Sequence, residues 1–136
     1  MAGETDLKKL LATMAPELRP GIHVFAKLPS DAPMPVMLFR EREGTTVIAL
    51  EEKAKAAGLE TVFRCRMVTL NIHSSLEAVG FLAAITTRLA AAEIGVNPVS
   101  AFYHDHLFVP ADRAEEAIDV LRRLAEENRG VTTFPP

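Results

Sequence analysis

Polar residues that could bind a small molecule are concentrated in two short segments of the chain. The first is an elbow, His73-Ser74-Ser75-Leu76-Glu77, which follows a strand-like run and precedes a helix-like run. A cap at Ser74 or Ser75 would leave the first backbone N–H groups of that helix pointing outward. Such donors suit a carboxylate, and the positive end of the helix stabilises a bound anion by about 0.3–1 kcal/mol. Helix capping without any ligand is the competing interpretation.

The second segment is Tyr103-His104-Asp105-His106. Asp105, at or near a predicted chain reversal, is available for a cationic group, and histidines beside it would make binding sensitive to pH. Two histidines at i and i+2 share one face of an unbroken strand, and His73 could add a third nitrogen for zinc. A reversal at Asp105 breaks that relation, however, and the sequence has neither a Cys partner nor HExxH spacing. We therefore predict no metal and no cofactor.

Catalysis by a nucleophile needs a Ser or Cys with a base within reach. Ser74 follows His73 directly, but neighbours on a strand point to opposite faces. The sequence contains no GxSxG elbow, Walker-type loop or GxGxxG fingerprint. The prediction is that the protein is not an enzyme and has no catalytic residues.

Composition restricts the class of protein. The 136 residues are 49% apolar and 24% charged with a net charge of -3, which is typical of one medium globular domain or two small ones. Interspersed charges without a basic face argue against nucleic-acid binding. No apolar run reaches the roughly 20 residues that span a bilayer, so we expect no membrane insertion. No secretory leader is evident, and the single Cys65 predicts a reducing cytoplasmic location.

Local patterns predict alternating strands and helices. In the first half they predict a helix over 7–14 capped by Asp6, a strand over 22–28, a loop over 29–35, a hairpin of strands 36–42 and 45–50, and a helix over 51–57 ended by Gly58. In the second half they predict a long strand over 61–72, a helix over 76–92, strands over 99–104 and 107–109, a helix after Pro110 and a short strand over 130–134. The two halves share a rough β-β-α order, which indicates two related units.

With these elements placed, the second half resembles an ACT domain. The resemblance covers residues 64–128 and lies in Ala78-Val-Gly-Phe-Leu-Ala-Ala-Ile-Thr86, Leu89-Ala90 and Glu93-Ile-Gly-Val-Asn97, which are similar to the family's PGLLAxIT, LA and GINI/V motifs. Three segments, 39–44, 73–80 and 103–110, resemble the corresponding segments of a small group of bacterial proteins. Those proteins pair a degenerate ACT-like N-terminal domain with a true ACT domain. Val79 replaces the usual Pro, and the loop before it is longer than in most ACT domains.

The resemblance implies a fold and a function. The expected fold is α+β, with tandem ferredoxin-like βαββαβ units, antiparallel sheets and helices on one face. It implies a degenerate ACT-like domain at 1–63 and an ACT domain at 64–136. The implied function is a homodimeric sensor or regulator that binds a small metabolite, most readily an amino acid, in the loop before the helix. The predicted ligand-binding residues are His73, Ser74, Ser75, Leu76, Val79, Gly80, Tyr103, His104, Asp105 and His106. Two alternatives stay open: an interaction module that has lost its ligand, and a metal-dependent enzyme.

Overall fold

The computed structural model describes residues 4–27 and 35–130. The helices are α1 (Leu7–Thr13), α2 (Glu51–Ala56), α3 (Phe81–Ala91) and α4 (Ala114–Asn128), the last preceded by a 3-10 turn (Ala111–Arg113). The strands are β1 (Pro16–Leu18), β2 (His23–Lys27), β3 (Met37–Arg40), β4 (Thr45–Leu50), β5 (Thr61–Leu70), β6 (Asn97–Ser100) and β7 (Asp105–Pro110). Apart from Pro35 and Gly130, the predicted loop over 29–35 and strand over 130–134 lie outside the described residues.

A single antiparallel sheet joins the two halves of the chain. Within the described residues the strand order is β3-β4-β2-β5-β7-β6, and β1 also pairs with β5. The first residues of β5 pair with β2, its last residues pair with β1, and β7 pairs with β5 from Cys65 to Leu70. The long strand predicted from 61 is thus the shared centre of the molecule, and the predicted fold of tandem ferredoxin-like units is confirmed.

The main core lies between the sheet and helices α1, α3 and α4. Strand alternation turns Val68 and Leu70 of β5, and Leu107 and Val109 of β7, to this face, where they are buried. Leu10 and Met14 bring α1 into the same core, next to α4. The first helix of the chain therefore completes the core of the second half. The domain boundary at 63/64 stays a prediction.

A smaller apolar cluster occupies the other face of the sheet. Ile48, Cys65 and Phe108 are buried there, and Phe25 packs edge-on against Phe108 with ring centroids 6.0 Å apart. No residue of the described helices belongs to this cluster. Among the described residues, no helix is long and apolar enough to cross a membrane.

Two predicted boundaries near the candidate site are wrong. Helix α3 begins at Phe81 rather than at 76, because Gly80 adopts a left-handed φ of 91° immediately before it. The predicted cap at Ser74 or Ser75 is therefore wrong as well. The strand predicted over 99–104 ends at Ser100, and the chain reverses over 101–104, where the Ala101 N–H donates to the His104 carbonyl at 2.9 Å. The reversal precedes Asp105, which is the first residue of β7.

Candidate functional site

A buried hydroxyl and a buried carboxylate meet at the end of the sheet. Ser74 lies in the loop after β5, and Asp105 starts β7, where it is the register partner of Leu70. The Ser74 hydroxyl donates to Oδ2 of Asp105 at 3.0 Å, and the two residues are only 8% and 5% exposed. A buried carboxylate is costly unless it accepts hydrogen bonds. The second oxygen of Asp105 accepts none from the residues that the structure describes.

The start of α3 adds free hydrogen-bond donors. The Ala84 N–H is bonded to the Gly80 carbonyl at 2.9 Å, as expected for the first turn of a helix. The N–H groups of Phe81, Leu82 and Ala83 have no acceptor in the described part of the chain. They lie at the positive end of the helix dipole, which favours an anion.

These groups border one small cavity. Its volume is about 190 Å³, and it is lined by Ser74, Ser75, Leu76, Ala78, Gly80, Phe81, Leu82, Ala83, Ser100 and Asp105. The described residues of its wall are one aspartate, three serines, the first residues of α3 with the glycine before them, and further apolar residues. Such a wall can take an ammonium group at Asp105 and a carboxylate at the start of α3.

A larger groove of about 730 Å³ lies elsewhere, between β1 and α4. Glu115, Arg122, Glu126 and Arg129 bring charges of both signs to it, and none of the predicted ligand-binding residues lines it. Groove size alone does not make a site, so the small cavity with its convergent polar groups is the better candidate.

The predicted ligand-binding residues divide between the cavity and its surroundings. Ser74, Ser75, Leu76, Gly80 and Asp105 line the cavity, whereas His73, Val79, Tyr103, His104 and His106 do not. Ala78, Phe81, Leu82, Ala83 and Ser100 line it without having been predicted. The residues on α3 were not predicted, because the sequence pattern places the start of that helix at 76 rather than at Phe81.

His73, His104 and His106 contact other side chains and do not line the cavity. The His73 ring lies 6.2 Å from the Tyr103 ring, and the His104 and His106 rings are 6.3 Å apart and perpendicular. His106 Nδ1 is 3.0 Å from the Thr69 hydroxyl. Burial, followed by the neighbouring His104, lowers the pKa of His106. Within 4–27 and 35–130, no group of three or more His, Cys, Asp or Glu residues is arranged to hold a metal ion.

The beginning of the chain holds the cavity loop in place. We call residues 4–6 the N-terminal strap. The Glu4 N–H donates to the His73 carbonyl and the Ser75 N–H donates to the Glu4 carbonyl, each at 2.9 Å, so that Glu4 forms a parallel β-bridge with Ser74. One Oε of Glu4 accepts from the N–H groups of Thr5 and Asp6, and the other pairs with Lys9 at 3.1 Å. Both halves of the chain thus build the loop that lines the cavity.

The shared sheet with helices over one face defines a pair of ferredoxin-like units with a small cavity at the start of a helix. ACT domain models match residues 2–66 and 62–123. The chain belongs to the ACT domain family, whose members are typically regulatory ligand-binding modules.

Solved structures agree with this fold. A Vibrio cholerae protein of unknown function, described as a possible transport protein, is 38% identical with a TM-score of 0.76, covering 88% of this chain and 95% of that one. An Agrobacterium tumefaciens protein is 17% identical with a TM-score of 0.66, over 81% and 87% of the two chains. The ligand-free regulatory subunit of aspartate kinase from Thermus thermophilus is 12% identical with a TM-score of 0.64, over 83% and 97%. No curated protein is significantly similar to the chain.

Proposed function

We propose that this protein is a sensor that binds an amino acid in the cavity between the 73–80 loop and α3 and has no catalysis of its own. One observation carries the proposal: Asp105, whose second carboxylate oxygen accepts no hydrogen bond from the described residues, lines the same cavity as the first residues of α3, whose N–H groups have no acceptor in that part of the chain. Their charges are complementary to an ammonium and a carboxylate on one small molecule.

The energetics favour a zwitterion over a singly charged ligand. A charge-assisted hydrogen bond contributes about 1.5–3 kcal/mol, so an ammonium at Asp105 gains affinity and also satisfies that carboxylate. A carboxylate at the start of α3 adds about 0.3–1 kcal/mol from the helix dipole, and more when partly buried. Together these contributions approach the roughly 4 kcal/mol of a millimolar complex before any apolar contact is counted.

Binding would act on the loop that both halves of the chain hold. A ligand that bridges Asp105 and α3 joins the start of β7 to the helix, while the N-terminal strap connects the same loop to α1. The ligand shifts the population of domain arrangements by its differential affinity for each of them. Regulation follows if one arrangement is the form that a target protein recognises.

A homodimer is part of this proposal. Leu76, Val79, Phe102 and Tyr103, which we call the apolar rim, lie on the 73–80 loop and the β6–β7 turn and are 66–85% exposed. Contact between the rims of two copies would cover these side chains and close the cavity. The rim also favours the second candidate function, an interaction module without a ligand. A cytoplasmic location fits the single cysteine, which is buried and free.

The described residues that line the cavity do not favour catalysis. Ser74 donates its hydrogen bond to Asp105, and among the described residues no His, Lys or Cys lines the cavity to act as a base or nucleophile. A hydroxyl that donates to a carboxylate in this way stabilises the buried charge.

The test is calorimetric titration of the full chain with each of the twenty amino acids, repeated with Asp105→Asn. We expect saturable binding of at least one amino acid and a loss of at least tenfold in affinity in the variant. Asp119→Asn on the exposed side of α4 is the matched control and should bind like the parent protein. If none of the twenty amino acids binds, the proposal is wrong, and the second candidate function, an interaction module without a ligand, is favoured.

A further inference from the structure

We infer that the protein bends about a hinge at residues 19–22 and 63–64, where the chain passes between two bodies. The inner body consists of the described residues within 23–62, and the outer body consists of residues 4–18 and 65–130. Because the chain enters the inner body once and leaves it once, the described backbone crosses between the bodies at these two segments alone. The inference concerns the fold and does not depend on a ligand.

The two bodies have separate cores. The main core contains no described residue of the inner body. Helix α2 packs on β2 and β4 of the inner body, whereas α1, α3 and α4 of the outer body pack on one another. Contacts between parts of one chain permit relative motion unless they are extensive and apolar. The bodies are therefore joined by the sheet at the two crossings and by the smaller apolar cluster.

The backbone is irregular at the first crossing, between β1 and β2. The Arg19 N–H donates to the Met67 carbonyl at 2.8 Å, so these two residues lie opposite each other. The next pair along the sheet is His23 with Cys65. Three residues between β1 and β2, a proline and a glycine among them, therefore face a single residue of β5. The glycine, Gly21, has a left-handed φ of 94°, and the proline has no N–H to offer the sheet.

Strand β5 has a bulge at the second crossing. The register between β2 and β5 shifts between His23 and Phe25, so that Phe63 and Arg64 face Val24 alone. Phe63 adopts a left-handed φ of 58°, which is strained for a bulky side chain. Hinges consist of a few such residues that absorb a change in backbone angles. This bulge adjoins the first crossing along β5, so the two crossings form one line across the sheet.

Aromatic packing holds the bodies together across this line. The rings of Phe25 and His23 in the inner body pack edge-on against Phe108 in the outer body, with centroids 6.0 and 6.1 Å away. The Cys65 thiol donates to the His23 carbonyl at 3.3 Å. Edge-on aromatic contacts depend on ring orientation, so they favour one arrangement of the two bodies. Loss of the Phe25 ring should therefore release the hinge.

The experiment measures distances between spin labels on the full chain by pulsed electron paramagnetic resonance. One label pair, on Glu52→Cys in α2 and Arg123→Cys in α4, spans the hinge. The matched pair, on Ala90→Cys in α3 and Arg123→Cys, lies within the outer body. All three positions are exposed and helical, and labelling of the buried Cys65 is checked on the parent protein. We expect the distance distribution of the spanning pair to be roughly twice as wide as that of the matched pair, or wider. Equal widths would overturn the inference.

A variant tests the aromatic contact. Phe25→Ala should shift or widen the distribution of the spanning pair and leave the matched pair unchanged. Phe102→Ala removes an exposed ring away from the hinge and is the control, which should change neither pair. Circular dichroism shows whether each variant is folded, and the two pairs in the parent protein decide the question if Phe25→Ala is not. A folded Phe25→Ala variant with an unchanged spanning pair would contradict the inference.

Discussion

Ser74 donates its hydroxyl to Oδ2 of Asp105 at 3.0 Å, although 31 positions separate the two residues. The pairing of β5 with β7 brings them together, because Leu70 and Asp105 are register partners. The bond ties the loop after β5 to the first residue of β7. Asp105 is also the one acidic residue among the described residues that line the cavity.

Removal of the Ser74 hydroxyl should destabilise the protein. Ser74→Ala leaves the buried Asp105 carboxylate without its donor, which should lower the free energy of unfolding by about 1–3 kcal/mol. Urea denaturation of the full chain measures this value. Ser100→Ala is the control, because the exposed Ser100 hydroxyl has no hydrogen bond within the described residues, and it should stay within about 0.5 kcal/mol of the parent protein. Equal stabilities of the two variants would contradict this role of Ser74.

The N-terminal strap should matter for ligand affinity without lining the cavity. Glu4→Pro removes the N–H that donates to the His73 carbonyl, whereas Glu4→Ala keeps the backbone bonds and loses only the side chain. Because both variants lose the carboxylate, their difference isolates the backbone bond. We expect the Pro variant alone to bind its amino acid several-fold more weakly and to exchange the Ser75 amide hydrogen faster. Calorimetry measures the affinity and hydrogen exchange measures the protection of the Ser75 amide. Identical behaviour of the two variants would show that the backbone hydrogen bond of the strap does not contribute to ligand affinity.

Stability should fall as the solution becomes acidic, partly through His23. Burial lowers the pKa of His23, and the nearby Arg66 and Arg19 lower it further. A hydrogen bond to the Gly21 backbone raises this pKa but does not cancel the decrease. The unfolded chain, with the higher pKa of about 6.5, binds the proton first, so this contribution is fully present above that pH and is lost as the pH falls below it.

His23→Phe tests this effect. The Nδ1 atom of His23 has no hydrogen-bond partner in the described part of the chain, and its ring packs edge-on against Phe108. Phenylalanine keeps that packing and removes the titrating group, although it also loses the interaction with the Gly21 backbone. The variant should lose less free energy of unfolding than the parent protein between pH 7.5 and 5. A residual decrease is expected from His106, whose pKa is also lowered by burial. An unchanged pH profile would contradict the assignment.

Cys65 should be unreactive in the folded protein. Burial raises the pKa of its thiol to about 11, and the thiol donates to the His23 carbonyl at 3.3 Å. Since the folded pKa lies above that of the unfolded chain, the thiol favours folding at pH below about 9, and this contribution is lost as the pH rises toward 11. At pH 8 a chromogenic disulfide reagent should label Cys65 only at the rate at which the chain unfolds. Rapid stoichiometric labelling of the native protein would show an accessible thiolate.

Most of the fold could be predicted from local patterns. Asp6 caps α1 by accepting from the Lys9 N–H, and Gly58 ends the region of α2 with a positive φ of 73°, both as expected from residue type. The hairpin of β3 and β4 and the long β5 also follow from the sequence. The packing of α1 on α4 could not be predicted, because an amphipathic helix shows that it has a buried face and not which part of the chain covers it.

The polar residues of the candidate site could be predicted from the sequence, but the full set of residues that line the cavity could not. Ser74 and Asp105 stood out because of their types and their places at the ends of strands. The start of α3 was predicted too early, since the apolar residues from Leu76 to Val79 continue the helical pattern and give no sign that Gly80 would turn left-handed. The cavity residues on that helix, such as Leu82 and Ala83, were therefore missed.

The most direct test of the central claim compares alanine with two of its analogues by calorimetry on the full chain. Propionate lacks the ammonium that would bind Asp105, and alaninamide lacks the carboxylate that would bind the start of α3. If alanine is not bound, the comparison is made with the matching analogues of the tightest amino acid. The account predicts that each analogue binds at least tenfold more weakly than its parent. An analogue that binds as tightly as the amino acid would show that the cavity does not recognise a zwitterion.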